Sequence, residues 1–245
     1  MSDTTQAPFT LRDGLNLALY DWPLPLRMRP RAVVLIVHGL GEHAWRYDAL
    51  AQRLNDWGFC VRAYDQRGHG ESGGAQGVLP DDDALLTDLS EVLDDTRRHL
   101  ANPWACPLIL FGHSMGGHGA LTLALKYPEK FKSVSAFAPI CAPSQCPWGE
   151  KAFSNYLGSD QAEWLKHDAT ALVQTKTAHF ADILIDQGLS DQFYSQLNPA
   201  LFQQACQAAG QPLTLREHAG YDHGYYFIQS FIDDHLQFHA VQLES

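Results

Sequence analysis

PLILFGHSMGGHGALTLALK, residues Pro107 to Lys126, is the stretch from which the fold of this chain can be predicted. The apolar residues Leu108 to Phe111 have the length and character of a strand buried on both faces, as in a parallel sheet. A Gly-x-Ser-x-Gly turn centred on Ser114 follows, and the apolar stripe after it predicts a helix. Strand, turn and helix in this order are the context of a nucleophile elbow, in which the helix N-terminus points at the serine.

Ser114 is therefore interpreted as a catalytic nucleophile. A glycine-rich structural turn with an incidental serine is the alternative. A phosphate-binding loop is disfavoured because the Lys-Ser/Thr ending of that motif is missing. An elbow also needs two N–H groups that stabilise an oxyanion; the predicted donors are Met115, directly after the serine, and Leu40, in the loop after the apolar run Ala32 to Val37. This chemistry needs neither a metal nor an organic cofactor.

The composition bounds the class of protein. The chain has 245 residues, of which 45% are hydrophobic, and we expect one domain over residues 1–245. With 17 basic and 28 acidic residues, the formal charge of −11 argues against nucleic acids and anionic membrane surfaces as partners. Five cysteines and a start without a leader pattern predict free thiols in a reducing, cytoplasmic compartment. The oligomeric state stays open.

Strand and helix patterns alternate along the chain. Asp13-Gly14 between two alternating runs predicts a hairpin. A helix at 80–100 is expected to begin with acidic turns. The other predicted strands are 32–37, 59–64, 108–111, 131–140, 181–187 and 212–217, and the other predicted helices are 45–57, 148–157, 161–174, 199–209 and 225–239, besides the one after the elbow. This alternation predicts an α/β fold, a mostly parallel sheet with helices on both faces.

Two later residues complete a candidate triad with Ser114, in the chain order serine, acid, histidine. Asp191 lies in the turn after a predicted strand, whereas Asp186 falls inside the apolar run and is interpreted as a structural carboxylate. His223 lies in the loop before the last helix. It is preferred to His218, which ends a strand and is expected to be packed or solvated.

Five other histidines are not assigned to catalysis. His113, beside the serine, is expected to point away from it. His38 and His69 are expected to stabilise their loops by hydrogen bonds. His235 and His239 are one helical turn apart and could chelate a metal. Because no third ligand is near them in the sequence, an exposed polar helix face is the favoured interpretation.

Taken together, these residues resemble the α/β-hydrolase fold, and two parts of the chain resemble different branches of it. Residues 9–80, with HGLGEHAWRYDALAQRLNDWGF and YDQRGHGESGG, resemble the monoacylglycerol lipase and lysophospholipase group. Residues 112–239 resemble the S-formylglutathione hydrolase (esterase D) group, with GHSMGGHGALTLALKYP and SVSAFAPICAPSQCPWGEKAFSNYLG. A natural mosaic, an engineered chimera and a divergent family member all remain open.

The resemblance adds Trp148 as a residue near the acyl pocket, with plain packing as the alternative. The stretch after Ile140 follows the S-formylglutathione hydrolase pattern, which implies that there is no large lid. The loop from His38 to Tyr47 replaces the cysteine-bearing loop of that group, which implies weaker recognition of glutathione. The resemblance also carries over the triad and the oxyanion donors, namely Ser114, Asp191, His223, Leu40 and Met115.

The sequence therefore predicts a serine carboxylesterase or thioesterase that cleaves small esters through an acyl-enzyme, with S-formylglutathione as the favoured natural substrate. Hydrolysis of monoacylglycerols or short-chain esters is the alternative within the same class. A catalytically silent α/β-hydrolase that binds a ligand or a partner is a different class. The complete set of serine, acid and histidine in the required order argues against a silent module.

Overall fold

The computed structural model describes residues 4–39, 41–81, 83–175 and 180–244. Its strands are β1 (Thr5–Thr10), β2 (Asn16–Trp22), β3 (Val33–Val37), β4 (Cys60–Tyr64), β5 (Leu108–Gly112), β6 (Val134–Phe137), β7 (Ile183–Gly188) and β8 (Leu213–His218). Its α-helices are α1 (Asp48–Asp56), α2 (Ala84–Thr96), α3 (Met115–Lys126), α4 (Pro147–Tyr156), α5 (Gln161–Leu165), α6 (Ala169–Gln174), α7 (Tyr194–Leu197), α8 (Pro199–Ala209) and α9 (Tyr225–Glu244). The predicted alternation of strands and helices is confirmed.

The chain divides into two compact units, Met1–Phe111 and Gly112–Ser245. The sheet of the first unit has the strand order β1-β2-β4-β3-β5. Strands β1 and β2 pair antiparallel, which confirms the hairpin predicted around Asp13-Gly14. Strand β4 pairs antiparallel with β2 and parallel with β3. A single domain over residues 1–245 stays a prediction.

Two histidines hold the loops that follow β3 and β4 in the first unit. The buried His38 ring lies with Nδ1 2.7 Å from the carbonyl oxygen of Gly39, and its Nε2 accepts a hydrogen bond from the backbone N–H of Gln66 at 2.9 Å. Burial lowers the pKa of His38 to about 4, so the ring is neutral at physiological pH. His69 accepts from the backbone N–H of Gly41 at 3.3 Å. The predicted role of both residues in stabilising loops is confirmed.

The second unit contains a parallel sheet of order β6-β7-β8. Helices α3, α6 and α8 pack their apolar faces against β6 and β7 and form one buried core. Removing these side chains from water stabilises the unit by about 1.5–3 kcal/mol for each large aliphatic or aromatic residue. The buried members of this core are Leu121, Ala124, Leu125, Val134, Ala136, Cys141, Ala169, Val173, Phe180, Ile183, Ile185, Phe202, Ala205 and Cys206.

Several element boundaries differ from the sequence predictions. Helix α2 begins only at Ala84, so the expected acidic first turn is wrong. The helix predicted over 161–174 is two helices, because the side chain of Asp168 accepts a hydrogen bond from the N–H of Ala171 and begins α6 as its N-cap. The strand predicted over 131–140 is limited to β6.

All five cysteines are free. In the described part of the chain, no helix combines the length and the apolar character needed to cross a membrane.

Candidate active site

The turn between β5 and α3 holds Ser114 in a strained backbone conformation. Its φ of 56° and ψ of −114° lie in a region that residues other than glycine rarely adopt. Gly112 is required at the start of the turn, because a Cβ atom there would collide with the carbonyl of Gly116. The Ser114 N–H donates to the carbonyl oxygen of Phe137 at 3.2 Å, at the end of β6. The half-buried serine thus stands directly before the N-terminus of α3, where unpaired N–H groups and the helix dipole favour negative charge.

A buried carboxylate and a histidine meet at the ends of β7 and β8. The Nδ1 atom of His223 lies 2.6 Å from Oδ2 of Asp191, and the two side chains are 12% and 0% exposed. Since the carboxylate only accepts, Nδ1 carries the proton, and Nε2 of the neutral ring is left as a base. Burial opposes ionisation of Asp191, but hydrogen bonds from His223, Phe193 and Gln187 outweigh it and lower the pKa of this carboxyl.

Backbone hydrogen bonds join the loop that carries Asp191 to the loop that carries His223. The N–H of Leu189 donates to the carbonyl oxygen of His218, and the N–H of Ser190 donates to that of Tyr221, both at 2.9 Å. Gly188 permits this close approach, because a Cβ atom there would collide with the carbonyl of Tyr221. The separation of the acid and the histidine is therefore set by paired backbone, not by flexible side chains alone.

His113 links the elbow to this pair. Its ring is buried, and the centroid lies 4.5 Å from that of His223. That the side chain points away from the serine stays a prediction. The His113 ring is also 6.2 Å from the ring of Tyr225, at the start of α9. His113, the neighbour of Ser114 in the chain, thus contacts the histidine of the pair, and the grouping of Ser114 with Asp191 and His223 stays a prediction.

Trp148 reaches the pair through a second aromatic side chain. Its ring, 43% exposed at the start of α4, lies 4.7 Å from the ring of Phe193. The ring of Phe193 meets that of His223 edge-on at 5.3 Å. The backbone N–H of Trp148 donates to Oε1 of Gln196 at 3.1 Å, which fixes the start of the helix. These contacts connect Trp148 to His223 through Phe193, and a place for Trp148 near an acyl pocket stays a prediction.

Asp186 and His218, the alternatives to Asp191 and His223 as catalytic acid and base, have other partners. Asp186 accepts two hydrogen bonds from Arg216, at 2.6 Å and 2.5 Å. Burial opposes ionisation of Asp186, but His235 and Arg216 lower its pKa to about 2. His218 packs on Phe231 with ring centroids 3.7 Å apart, in agreement with the predicted packing.

The expectation of an exposed polar face at His235 and His239 is wrong. The two residues are 1% and 4% exposed, and α9 packs them against β6. Both rings approach the hydroxyl oxygen of Ser135, His235 through Nδ1 and His239 through Nε2, at 2.8 Å each. Burial lowers the pKa of both histidines, that of His239 to about 3. Within the described residues, no group of three or more His, Cys, Asp and Glu side chains could hold a metal ion.

Of the two residues predicted as oxyanion donors, Met115 is the first residue of α3, where a backbone N–H has no partner within its own helix. Leu40 lies outside the described residues. Sequence analysis missed Gln187 and Phe193, which both contact Asp191. Only their positions in the sequence could have indicated a place near the acid, since Gln187 ends a predicted strand and Phe193 follows Asp191 by two residues.

A strained serine between a strand and a helix, followed along the chain by an acid and a histidine after later parallel strands, defines the α/β-hydrolase fold. Residues 28–181 match the family model described as serine aminopeptidase, S33, and the chain belongs to this family.

Relatives and solved structures agree with this fold. An S-formylglutathione hydrolase of Arabidopsis thaliana is 51% identical over 161 residues, which are 65% of this chain and 53% of that protein. The chain thus spans about half the length of the curated relatives it matches. A structure described as an S-formylglutathione hydrolase from Agrobacterium tumefaciens superposes with a TM-score of 0.81 at 34% identity, over 98% of this chain and 95% of that one. A monoglyceride lipase from Saccharomyces cerevisiae has the same fold, with a TM-score of 0.72 at 19% identity over 99% and 95%.

Proposed function

We propose that this chain is a serine hydrolase that cleaves small carboxylic esters or thioesters through an acyl-enzyme. The observation that carries the proposal is the 2.6 Å contact between His223 and Asp191, since a histidine ring held by a buried carboxylate is poised to accept a proton. The strained Ser114 supplies the hydroxyl. Its conformation costs free energy, which is typical of residues that a reaction requires.

In this mechanism Ser114 Oγ attacks the substrate carbonyl carbon while His223 Nε2 takes its proton. The new C–O bond converts the carbonyl oxygen to an oxyanion, which the N–H of Met115 stabilises; Leu40 is proposed as the second donor. Collapse of this intermediate breaks the bond to the alcohol or thiol, which leaves with the proton from His223. Water then attacks the acyl-enzyme by the same route, with Asp191 holding the ring in place throughout.

The substrate class is part of the proposal. The relatives named as S-formylglutathione hydrolases favour a small acyl group, and Trp148 and Phe193 would form one wall of the acyl pocket. The part of the chain before the elbow resembles another branch of the fold, so we expect a general esterase that turns over S-formylglutathione more slowly than a dedicated enzyme. The acidic composition and the free thiols support a cytoplasmic setting without nucleic-acid partners.

The test is hydrolysis of p-nitrophenyl acetate by the wild-type chain and by Ser114→Ala. We expect the variant to lose activity by several orders of magnitude, and the wild type to gain the mass of one acetyl group when the reaction is quenched early. Ser230→Ala is the matched control, because Ser230 is an exposed serine of α9 whose hydroxyl only donates to the carbonyl of Tyr226. No activity in the wild type would favour a silent binding module. A preference for emulsified monoacylglycerol would favour the lipase-like alternative.

A further inference from the structure

The side chain of Gln187, at the end of β7, is fully buried beside the acid of the candidate site. Its Nε2 atom lies 3.1 Å from Oδ2 of Asp191, the same oxygen that receives the hydrogen bond from His223. Nε2 is also 3.1 Å from the carbonyl oxygen of Gly188. Asp191 Oδ2 and the Gly188 carbonyl oxygen can only accept hydrogen bonds, so the NH₂ group of the amide, which donates, must face them.

The other end of this amide is costly to bury. Oε1 of Gln187 has no hydrogen-bond partner within the part of the chain that the structure describes. A buried carbonyl without a donor lowers stability, and an apolar side chain of similar shape would avoid this loss. This loss offsets part of the stability that the two hydrogen bonds of Nε2 contribute. The amide is better explained if its hydrogen bond to Asp191 also orients that carboxylate.

The position of Gln187 on β7 allows its side chain to reach Asp191. Neighbouring residues of a strand point to opposite faces, and the preceding residue, Asp186, binds Arg216. Gln187 reaches Asp191 from the other face. The backbone N–H of Phe193 donates to the other oxygen of this carboxylate, Oδ1, at 2.7 Å. Gln187 and Phe193 thus each bind one oxygen of Asp191, in addition to the hydrogen bond from His223.

We propose that Gln187 is a positioning residue, which orients the carboxylate of Asp191 so that its Oδ2 atom faces Nδ1 of His223. The inference rests on the proposed hydrolase function. Without the amide, the carboxylate can rotate about its side-chain bonds, and His223 loses the fixed partner that sets its tautomer and orientation. Gln187 itself does not touch the reacting atoms.

The test compares Gln187→Met with Gln211→Met. Gln211 is the matched control, since it is also a buried glutamine of the second unit, but both ends of its amide are satisfied: Oε1 accepts from the N–H of Phe180, and Nε2 donates to the carbonyls of Phe180 and Pro212. For Gln187→Met we expect kcat for p-nitrophenyl acetate to fall by about tenfold with KM unchanged, and Tm to fall no further than in Gln211→Met, because the substitution also removes a carbonyl without a donor. For Gln211→Met we expect a lower Tm and an unchanged kcat.

A second readout does not depend on turnover. The proton shared between His223 and Asp191 should give a low-field ¹H NMR resonance, assigned by its loss in His223→Ala. This resonance should broaden or vanish in Gln187→Met and persist in Gln211→Met. Persistence of the signal in Gln187→Met, together with wild-type kcat, would overturn the inference. If the wild type proves to have no esterase activity, the proposed function fails, and the resonance alone still decides the role of Gln187.

Discussion

Arg216 donates two hydrogen bonds to the carboxylate of Asp186, from Nε to Oδ1 at 2.6 Å and from Nη2 to Oδ2 at 2.5 Å. This carboxylate is fully buried and lies on β7, only five residues before Asp191. Asp186 also contacts His235, whereas Nδ1 of His223 lies against Asp191, so the two aspartates of one short segment have different partners. Asp186 joins β7, β8 and α9, and Asp191 binds the histidine.

The first prediction separates these two carboxylates. Asp191→Asn should lower kcat by about 10⁴-fold with little change in Tm, because an amide cannot stabilise the charged histidine ring and favours the wrong tautomer. Asp186→Asn should instead lower the free energy of unfolding by about 3 kcal/mol, because it leaves Arg216 without its buried counter-ion. Steady-state kinetics and denaturant unfolding measure both quantities. Near-normal turnover in Asp191→Asn, with loss in Asp186→Asn, would make Asp186 the catalytic acid.

The second prediction concerns Gly188. In Gly188→Ala the new methyl group would collide with the carbonyl of Tyr221 and approach that of Asp222 at 2.9 Å, which forces the two site loops apart. We expect kcat to fall by at least tenfold, and the hydrogen bond between Asp191 and His223 to lengthen. Gly119→Ala is the control, because a Cβ atom at Gly119 meets nothing within 4 Å and alanine favours the helix α3. Equal activity of the two variants would show that the loop spacing is not critical.

The third prediction is a loss of stability in acid. The unfolded chain protonates its histidines near pH 6.5, whereas burial keeps His235 and His239 neutral in the folded state, His239 down to about pH 3. Between these values the unfolded state binds more protons, so stability should fall as pH decreases from about 6.5 toward 3. Nε2 of His235 lies 3.3 Å from Oδ2 of Asp186, and the charges of Arg216 and Asp234 also act on this ring. Ser133 and Ser135 contact His239.

Unfolding in denaturant at several pH values measures this slope. His239→Gln should make the dependence on pH shallower even if the variant is less stable at every pH. The exposed His43 on the first unit offers a control, and His43→Gln should leave the slope as in the wild type. A slope that is unchanged in His239→Gln would mean that other groups cause the acid sensitivity.

The fourth prediction concerns the length of the acyl chain. Between β6 and β7 the described residues form a 3-10 turn at Pro143–Gln145 and the short helices α4, α5 and α6, and the exposed residues of these helices are mostly polar. We expect acetyl and butyryl esters of p-nitrophenol to be hydrolysed faster than lauroyl esters. A rate that rises abruptly when a long-chain substrate forms an emulsion would contradict this, since that behaviour requires an apolar lid.

The fifth prediction compares a thioester with an ester. Each buried polar partner of glutathione that is missing costs about 1–3 kcal/mol, and each 1.4 kcal/mol is tenfold in the rate constant. The loop from His38 to Tyr47 is expected to replace the cysteine-bearing loop of the S-formylglutathione hydrolases, so we expect two or three such partners to be lost. We expect no large preference in kcat/KM for S-formylglutathione over p-nitrophenyl acetate. A preference of about a thousandfold would mean that other residues hold glutathione.

Most of the fold could be predicted from short stretches of sequence. The helix α8 and its end at Gly210, the hairpin at Asp13-Gly14 and the elbow around Ser114 depend on local patterns of apolar residues, glycines and prolines. Such patterns act within a few residues, so one sequence suffices to find them. The helix predicted over 161–174 failed because a side-chain cap at Asp168 outweighed a continuous helical pattern.

The sequence by itself determined the order of the candidate residues Ser114, Asp191 and His223, and the turn chemistry of the elbow. Only the tertiary structure decided that Asp191 pairs with His223, that the His113 ring packs against the same histidine, that His235 is buried, and that Gln187 binds the acid. Except for Gln187 and Asp191, which are four residues apart, these contacts join residues from separate elements of the chain. They depend on how β6, β7, β8 and α9 pack, and that packing is a property of the whole unit, which no local pattern encodes.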